Sequence, residues 1–173
     1  RLEGGTEEVT VYFFPNVEHM EADGRSYQHV ELKSSNRAVS KTSHHGDIYY
    51  YNLQDNINTS AITGYKIYAV RDFDASYPVT IDENDEIEID ENGFEINAGD
   101  DWVINGKLTV TDSQVGEDPD TGERTGGSIN FSHTAVNNNE IIVDGGKLEG
   151  ATSNAMMNNK NTLTLMNNAI LES

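Results

Sequence analysis

The sequence predicts an all-β fold: a small N-terminal β-sandwich or barrel, then a right-handed β-solenoid. Three observations predict it. Short alternating apolar couplets recur through the second half, with Gly or Asn at the breaks between them. The first half holds β-branched and tyrosine-rich runs instead. Apolar residues make up 35% of the chain and mean hydropathy is -0.62, low for a globule but enough for the thin core of a stacked column.

Taken in order, residues 1–8 are polar and read as a linker or tail. Val9 to Phe14 (VTVYFF) reads as a strand ended by Pro15. Asp23-Gly24 is a turn signal, and Tyr27 to Leu32 alternates as a second strand. Ser34 to Gly46 is rich in Ser and Asn and reads as a loop. Asp47 to Leu53 and Tyr65 to Val70 complete the N-terminal β domain, placed at residues 9–76. Tyr49 and Tyr51 share one face of their strand, with Tyr50 on the other. No convincing helix is found. Asp55 to Ile62 is the one weak candidate, and it lacks a good apolar face.

Near Tyr77-Pro78 the character changes, and residues 77–173 read as rungs, incomplete at the C-terminus. The couplets are VTI, EIEI, FEI, WVI, KLTV, SINF, EIIV, GKLEG and TLTL. Their inward set is Ile87, Ile89, Ile96, Leu108, Val110, Ile129, Phe131, Ile141, Val143, Leu148, Leu163 and Leu165. Asn suits the corners because it tolerates the left-handed conformation and its amide can bond an amide one rung away. A rung buries its inner face only by stacking on others.

Asn105 to Ser113 and Ile142 to Gly150 carry units of the NGxLTVTDS and IVxGGxLxG kind. On these motifs, Val79 to Ser173 resembles the pectate-lyase-like right-handed parallel β-helix of bacterial surface proteins. The resemblance covers none of the N-terminal part. Such motifs recur in adhesins, phage fibres and polysaccharide lyases, so it implies fold more than function. Lyases of this kind use calcium, acidic ligands and a basic proton acceptor; Arg124 stands in the rung region for that role.

The net charge is -19, from 30 acidic and 11 basic residues. That balance argues against nucleic acid and against anionic membranes, and it suits solubility or cation binding. Without cysteine, disulfides and thiolate metal sites are excluded. No apolar run reaches the roughly 20 residues of a membrane span. The chain starts at Arg1 without a signal peptide, so it is expected to be part of a longer, processed or truncated protein.

Calcium takes clustered carboxylate oxygens, so the acidic turns are its candidates. Asp118 and Asp120, with Gly122 beyond them, resemble the opening of a calcium loop and lead. Asp82 and Asp85 come second. Asp72 and Asp74 flank a junction and read as linker or hinge site. Trp102 with Asp100 and Asp101 is the glycan candidate, an aromatic face beside carboxylates; a lone Trp more often fills a core, and that is the preferred reading of Trp102 itself. Asp100 and Asp101 as glycosidase carboxylates are weaker, since neighbours in a strand diverge. The same divergence weakens His44-His45 as a chelating pair, and His19, His29 and His133 stand alone in the sequence. No G-x-S-x-G, H-E-x-x-H or phosphate-loop motif occurs.

The expected function is a non-catalytic extracellular, adhesin-like structural or binding module. Its partner would be a glycan or a host surface protein, and its cofactor none, or calcium. The alternative is a phage fibre or filament subunit that self-associates in a virion. A fragment of a polysaccharide lyase or hydrolase comes third.

Overall fold

The structure, a computed structural model, describes residues 17–22, 25–30, 40–43, 47–50, 52–150 and 155–172. The chain divides into two compact units, residues 1–37 and 38–173. In the first, β1 (Val17–Ala22) and β2 (Arg25–Val30) pair antiparallel, with Val17 opposite Val30 and Ala22 opposite Arg25. The expected strand Val9 to Phe14 and the Asp23-Gly24 turn lie outside the described residues.

The second unit opens with β3 (Ser40–Ser43) and β4 (Asp47–Tyr50), which pair antiparallel. β3 occupies part of the stretch expected to be loop. Helix α1 (Leu53–Thr63) follows, and then the solenoid begins. Its first turn is β5 (Ile67–Ala69), β6 (Phe73–Ala75) and β7 (Val79–Ile81). The second is β8 (Glu86–Asp90), β9 (Glu95–Ala98) and β10 (Trp102–Ile104). In the third, β11 (Lys107–Thr111) is followed by an inserted hairpin of β12 (Gly116–Glu117) and β13 (Arg124–Thr125). That turn resumes with β14 (Ser128–Phe131) and β15 (Ala135–Asn137). The fourth is β16 (Glu140–Asp144), β17 (Lys147–Gly150) and β18 (Met157–Asn159). A partial fifth holds β19 (Thr162–Met166) and β20 (Ile170–Glu172).

Strands in equivalent positions stack in parallel into three sheets. One runs β19-β16-β11-β8-β5 and continues antiparallel into β3 and β4. The others run β20-β17-β14-β9-β6 and β18-β15-β10-β7. The parallel pairing expected of the rungs is therefore present. It also starts earlier than Tyr77, because Ile67 pairs with Ile89 and Phe73 with Ile96. Ile67–Ala69 and Phe73–Ala75 thus already belong to the solenoid, earlier than the expected boundary, while much of the N-terminal domain placed at 9–76 lies outside the described residues.

The core is one column. Ile67, Ile87, Ile89, Leu108, Val110, Ile141 and Val143 point inward from the first sheet. Ile96, Ile129, Phe131 and Leu148 do so from the second, and Val79, Ile81, Trp102 and Ile104 from the third. Every residue of the predicted inward set is buried except the last two. Leu163 is only half-buried and Leu165 is 48% exposed. Leu163 stacks on Ile141 and Leu165 on Val143, but no further strand follows β19 in the described stack. An inward side chain needs a rung on both sides to be buried.

The corners use the predicted residues. Asn84, Asn92, Asn167 and Asn168 have φ of 71°, 50°, 49° and 61°, the left-handed region. Amides also bond between rungs: Asn138 Nδ2 donates to Asn105 Oδ1 at 2.8 Å, and Asn137 Nδ2 to Asn159 Oδ1 at 2.6 Å.

Helix α1 corrects the sequence reading, which found no convincing helix. Leu53 and Ile57 are its buried apolar residues, with Ala61 packed partly against the column, so its pattern is weak. Caps and packing make it instead. Asn52 caps the N-terminus through Oδ1, which accepts the Asp55 N–H at 2.7 Å. Gly64, at φ 69°, ends it in the left-handed conformation, its N–H bonding the Ser60 carbonyl at 2.7 Å. Gln54 bonds the backbone of β7 on both sides: its Oε1 accepts the Thr80 N–H at 2.8 Å and its Nε2 donates to the Thr80 carbonyl at 3.0 Å. β7 is an edge strand, and this amide satisfies it as a neighbouring strand would.

Candidate functional site

The outward face of the β20-β17-β14-β9-β6 sheet carries a polar ladder. Asp74, Asn97, Asn130 and Glu149 occupy equivalent outward positions in successive turns. Asn97 Nδ2 donates to Asp74 Oδ1 at 3.0 Å, and Asn130 Nδ2 donates to Asn97 Oδ1 at 3.2 Å. Along one end of this ladder runs a shallow groove of about 350 Å³, with small residues Gly99, Ser132 and Gly150 on its floor and rim. Small side chains at one corner of three turns are what leave the groove open.

The corner just past the groove gathers three ligand-type side chains. Asp100, Asp101 and His133 each place an oxygen or nitrogen within 4.8 Å of the other two. His133 Nδ1 lies 3.4 Å from Asp101 Oδ1, and both side chains are mostly exposed. Asp100 Oδ1 accepts the Asp101 N–H at 2.7 Å, which orients its carboxylate. The register explains the meeting. Phe131 stands opposite Ala98 and Val136 opposite Val103, the same offset on both sides, so the two corners between them align residue for residue. His133, isolated in the sequence, is thereby set over Asp100.

Trp102 does not join this corner. It is 1% exposed, and its ring meets Phe131 edge to face at 5.4 Å and 87°. A core role is what its position allows, and no ring face is left for a sugar. Its Nε1 is buried without a hydrogen-bond partner. The two aspartates, by contrast, do reach the surface.

The other acidic candidates are placed differently. Asp118 Oδ1 accepts the N–H groups of Thr121 at 2.9 Å and Asp120 at 2.8 Å, which closes the tip of the β12–β13 hairpin. Those bonds hold its carboxyl below the usual carboxylate range. Asp120 is exposed beside it. Asp82 and Asp85 bracket the turn before β8, where the Asp85 N–H bonds the Asp82 carbonyl at 3.2 Å. Gly106 of the next turn packs on that backbone, and a Cβ there would lie 2.3 Å from the Asp82 carbonyl oxygen. Asp72 accepts the Glu95 N–H at 2.9 Å, so it ties two turns together. His44 and His45, and the side chains of His19 and His29, lie outside what the structure describes. Neither aspartate pair gains a third metal-ligating side chain among the described residues.

One cluster of charged side chains is buried. Asp90, Glu91 and Asp112 are 0%, 0% and 6% exposed at the corner between the first and second sheets. Glu91 reaches two turns along the column and accepts the Lys147 N–H at 3.1 and 3.0 Å. Burial pushes its carboxyl up to about 8, opposed by the Lys147 N–H and reinforced by Asp112 and Asp90, with Arg124 pulling the other way. Asp112 binds the N–H groups of Gly93, Gln114 and Gly127, at 2.9, 3.0 and 2.7 Å. Arg124, from the inserted hairpin, lies 3.5 Å from Asp112 and donates to the Gly145 carbonyl at 2.9 Å. Lys66 pairs with Asp90 at 3.2 Å and Glu88 at 2.8 Å; burial works against its charge, but the two carboxylates outweigh it and raise its pKa.

No family model, curated protein or solved structure matches this chain.

Proposed function

We propose that this chain is a non-catalytic structural and binding module of an extracellular or cell-surface protein, adhesin-like in kind. Its partner is a glycan or a host surface protein, met along the groove beside the Asp74–Asn97–Asn130–Glu149 ladder. That ladder is the observation that carries the reading. Amides and carboxylates bond hydroxyls in pairs, and stacked turns repeat them about every 4.8 Å along the axis. A polymer laid along the column meets a carboxylate or an amide at each turn. The resemblance of residues 79–173 to pectate-lyase-like surface proteins supports the same reading. Arg124, the basic residue a lyase reading would use, is spent on Asp112 and Gly145, which lends that reading less support.

The test is a glycan array probed with the 173-residue chain, followed by Asn97→Ala with Asn130→Ala. Binding that the double substitution weakens about tenfold or more supports the proposal. Release of cleaved product from any bound glycan sinks the non-catalytic part. A second reading, a phage fibre or filament subunit, draws on the parallel stacking of the turns into three continuous sheets, an architecture that suits a rigid rod. Self-association seen by light scattering would favour it.

A further inference from the structure

We propose that Asp100, Asp101 and His133 form a binding site for a divalent transition-metal ion of the zinc type. The trio is more than an acidic patch, because its third member is an imidazole delivered from the next turn of the solenoid. That donor set decides the ion. Calcium seeks six to eight oxygens, whereas one imidazole with two carboxylates suits zinc and its neighbours.

The geometry fits without moving the backbone. Ligands about 2.0–2.1 Å from a tetrahedral ion stand roughly 3.3 Å apart. His133 Nδ1 and Asp101 Oδ1 are already 3.4 Å apart, and Asp100 lies within 4.8 Å of both. Asp101 and His133 are exposed and Asp100 is half-buried, so the ion is reached from solvent and Asp100 has only a small rotation to make. Its Oδ1 is held by the Asp101 N–H, the kind of outer contact that orients a ligating carboxylate. Two carboxylates also balance the charge of a divalent ion, and solvent supplies the fourth position.

The corner itself is rigid. The Ser132 N–H bonds the Ala98 carbonyl at 3.0 Å just before the trio, and the Val79 N–H bonds the Asp101 carbonyl at 2.9 Å within it. A bound ion would therefore fasten the second turn to the third at this corner. The site stands apart from the glycan reading, because it needs neither the groove nor the amide ladder.

The experiment is calorimetric titration of the whole chain with zinc, with the cobalt absorption spectrum as second readout. We expect saturable zinc uptake that His133→Ala weakens about tenfold or more, and that Asp100→Asn with Asp101→Asn weakens likewise. The His44→Ala/His45→Ala variant should keep it. Zinc should raise the melting midpoint of wild type and leave that of His133→Ala unchanged. Matching midpoints without metal show that the variant is folded. Zinc affinity unchanged in His133→Ala overturns the site, as does an equal, His133-independent response to calcium.

Discussion

The two ends of the solenoid column differ in how they are finished. At the first turn, α1 lays Leu53 and Ile57 on the core, and Gln54 bonds the edge of β7. At the last turn, β18, β19 and β20 are edges of their sheets, and Leu165, Met166 and Leu171 are exposed. Both ends carry apolar residues in alternation, Ile67 and Ala69 or Val79 and Ile81 in the first turn, Leu163 and Leu165 in the last. What differs is whether something stands on the far side. In a stacked fold the same pattern is core or surface according to its place in the stack, which local alternation does not encode.

The largest effect should separate an interior leucine from its terminal counterpart. Leu108 and Leu163 lie in one inward row, linked through Ile141. Leu108 is 1% exposed, and Leu108→Ala should cost about 2–5 kcal/mol in denaturant unfolding. Leu163→Ala, on the open turn, should cost under about 1.5 kcal/mol. Equal costs would mean that the last turn is covered in solution, and the contrast between the ends would fail.

The next test uses the buried cluster between the ends. Glu91 is raised in the folded chain, so between about pH 4.5 and 8 the folded state binds a proton that the unfolded state has lost. Its contribution is fully present below the unfolded value and is lost as pH rises through the folded one. Stability should thus fall by about 3 kcal/mol from pH 5 to pH 8 on this account. Lys66 and Lys147, whose pKa values are raised from 10.5, change charge only above that window. Glu91→Gln keeps an acceptor for the Lys147 N–H and has no proton to lose. Its unfolding free energy should be nearly flat over the same range. A wild-type profile as flat as the variant's would show that Glu91 is ionised when folded.

How much of this was legible follows from particular residues. The rungs were readable because Ile87, Ile89, Leu108 and Val110 alternate strictly and Asn92-Gly93 or Asn105-Gly106 mark their ends. Helix α1 was not, because its stability comes from the Asn52 cap, Gly64 and contacts far along the chain. The Asp100–Asp101–His133 corner was hidden by the inserted hairpin. Trp102 stands on Val79, 23 positions earlier, while Phe131 stands 33 positions after Ala98, so no constant repeat sets His133 against Asp100. Aligning GDDW at 99–102 with SHTA at 132–135 is the signal that finds it. Trp102 stayed open between core and glycan contact because an exposed aromatic and a core aromatic look the same in one sequence.

The smallest effect concerns the closed end and how it is closed. Gln54 is half-buried and its amide takes both hydrogen bonds of the Thr80 backbone, so it acts as a one-residue strand against the β7 edge. Two neutral hydrogen bonds contribute about 0.5–1.5 kcal/mol each, and water can replace part of that at a half-exposed site. Gln54→Ala should therefore cost about 1 kcal/mol, well below Leu108→Ala. Alanine is also the better helix former, which offsets a few tenths of the loss. Hydrogen exchange separates this role from plain helix loosening. If Gln54 closes the edge, the Thr80 amide should exchange faster in Gln54→Ala while the Gly64 amide, bonded to Ser60 at the other end of α1, keeps its protection. Loss of protection at both amides would mean that the helix itself has loosened. Unchanged exchange at Thr80 would mean that the first turn is closed by Leu53 and Ile57 alone.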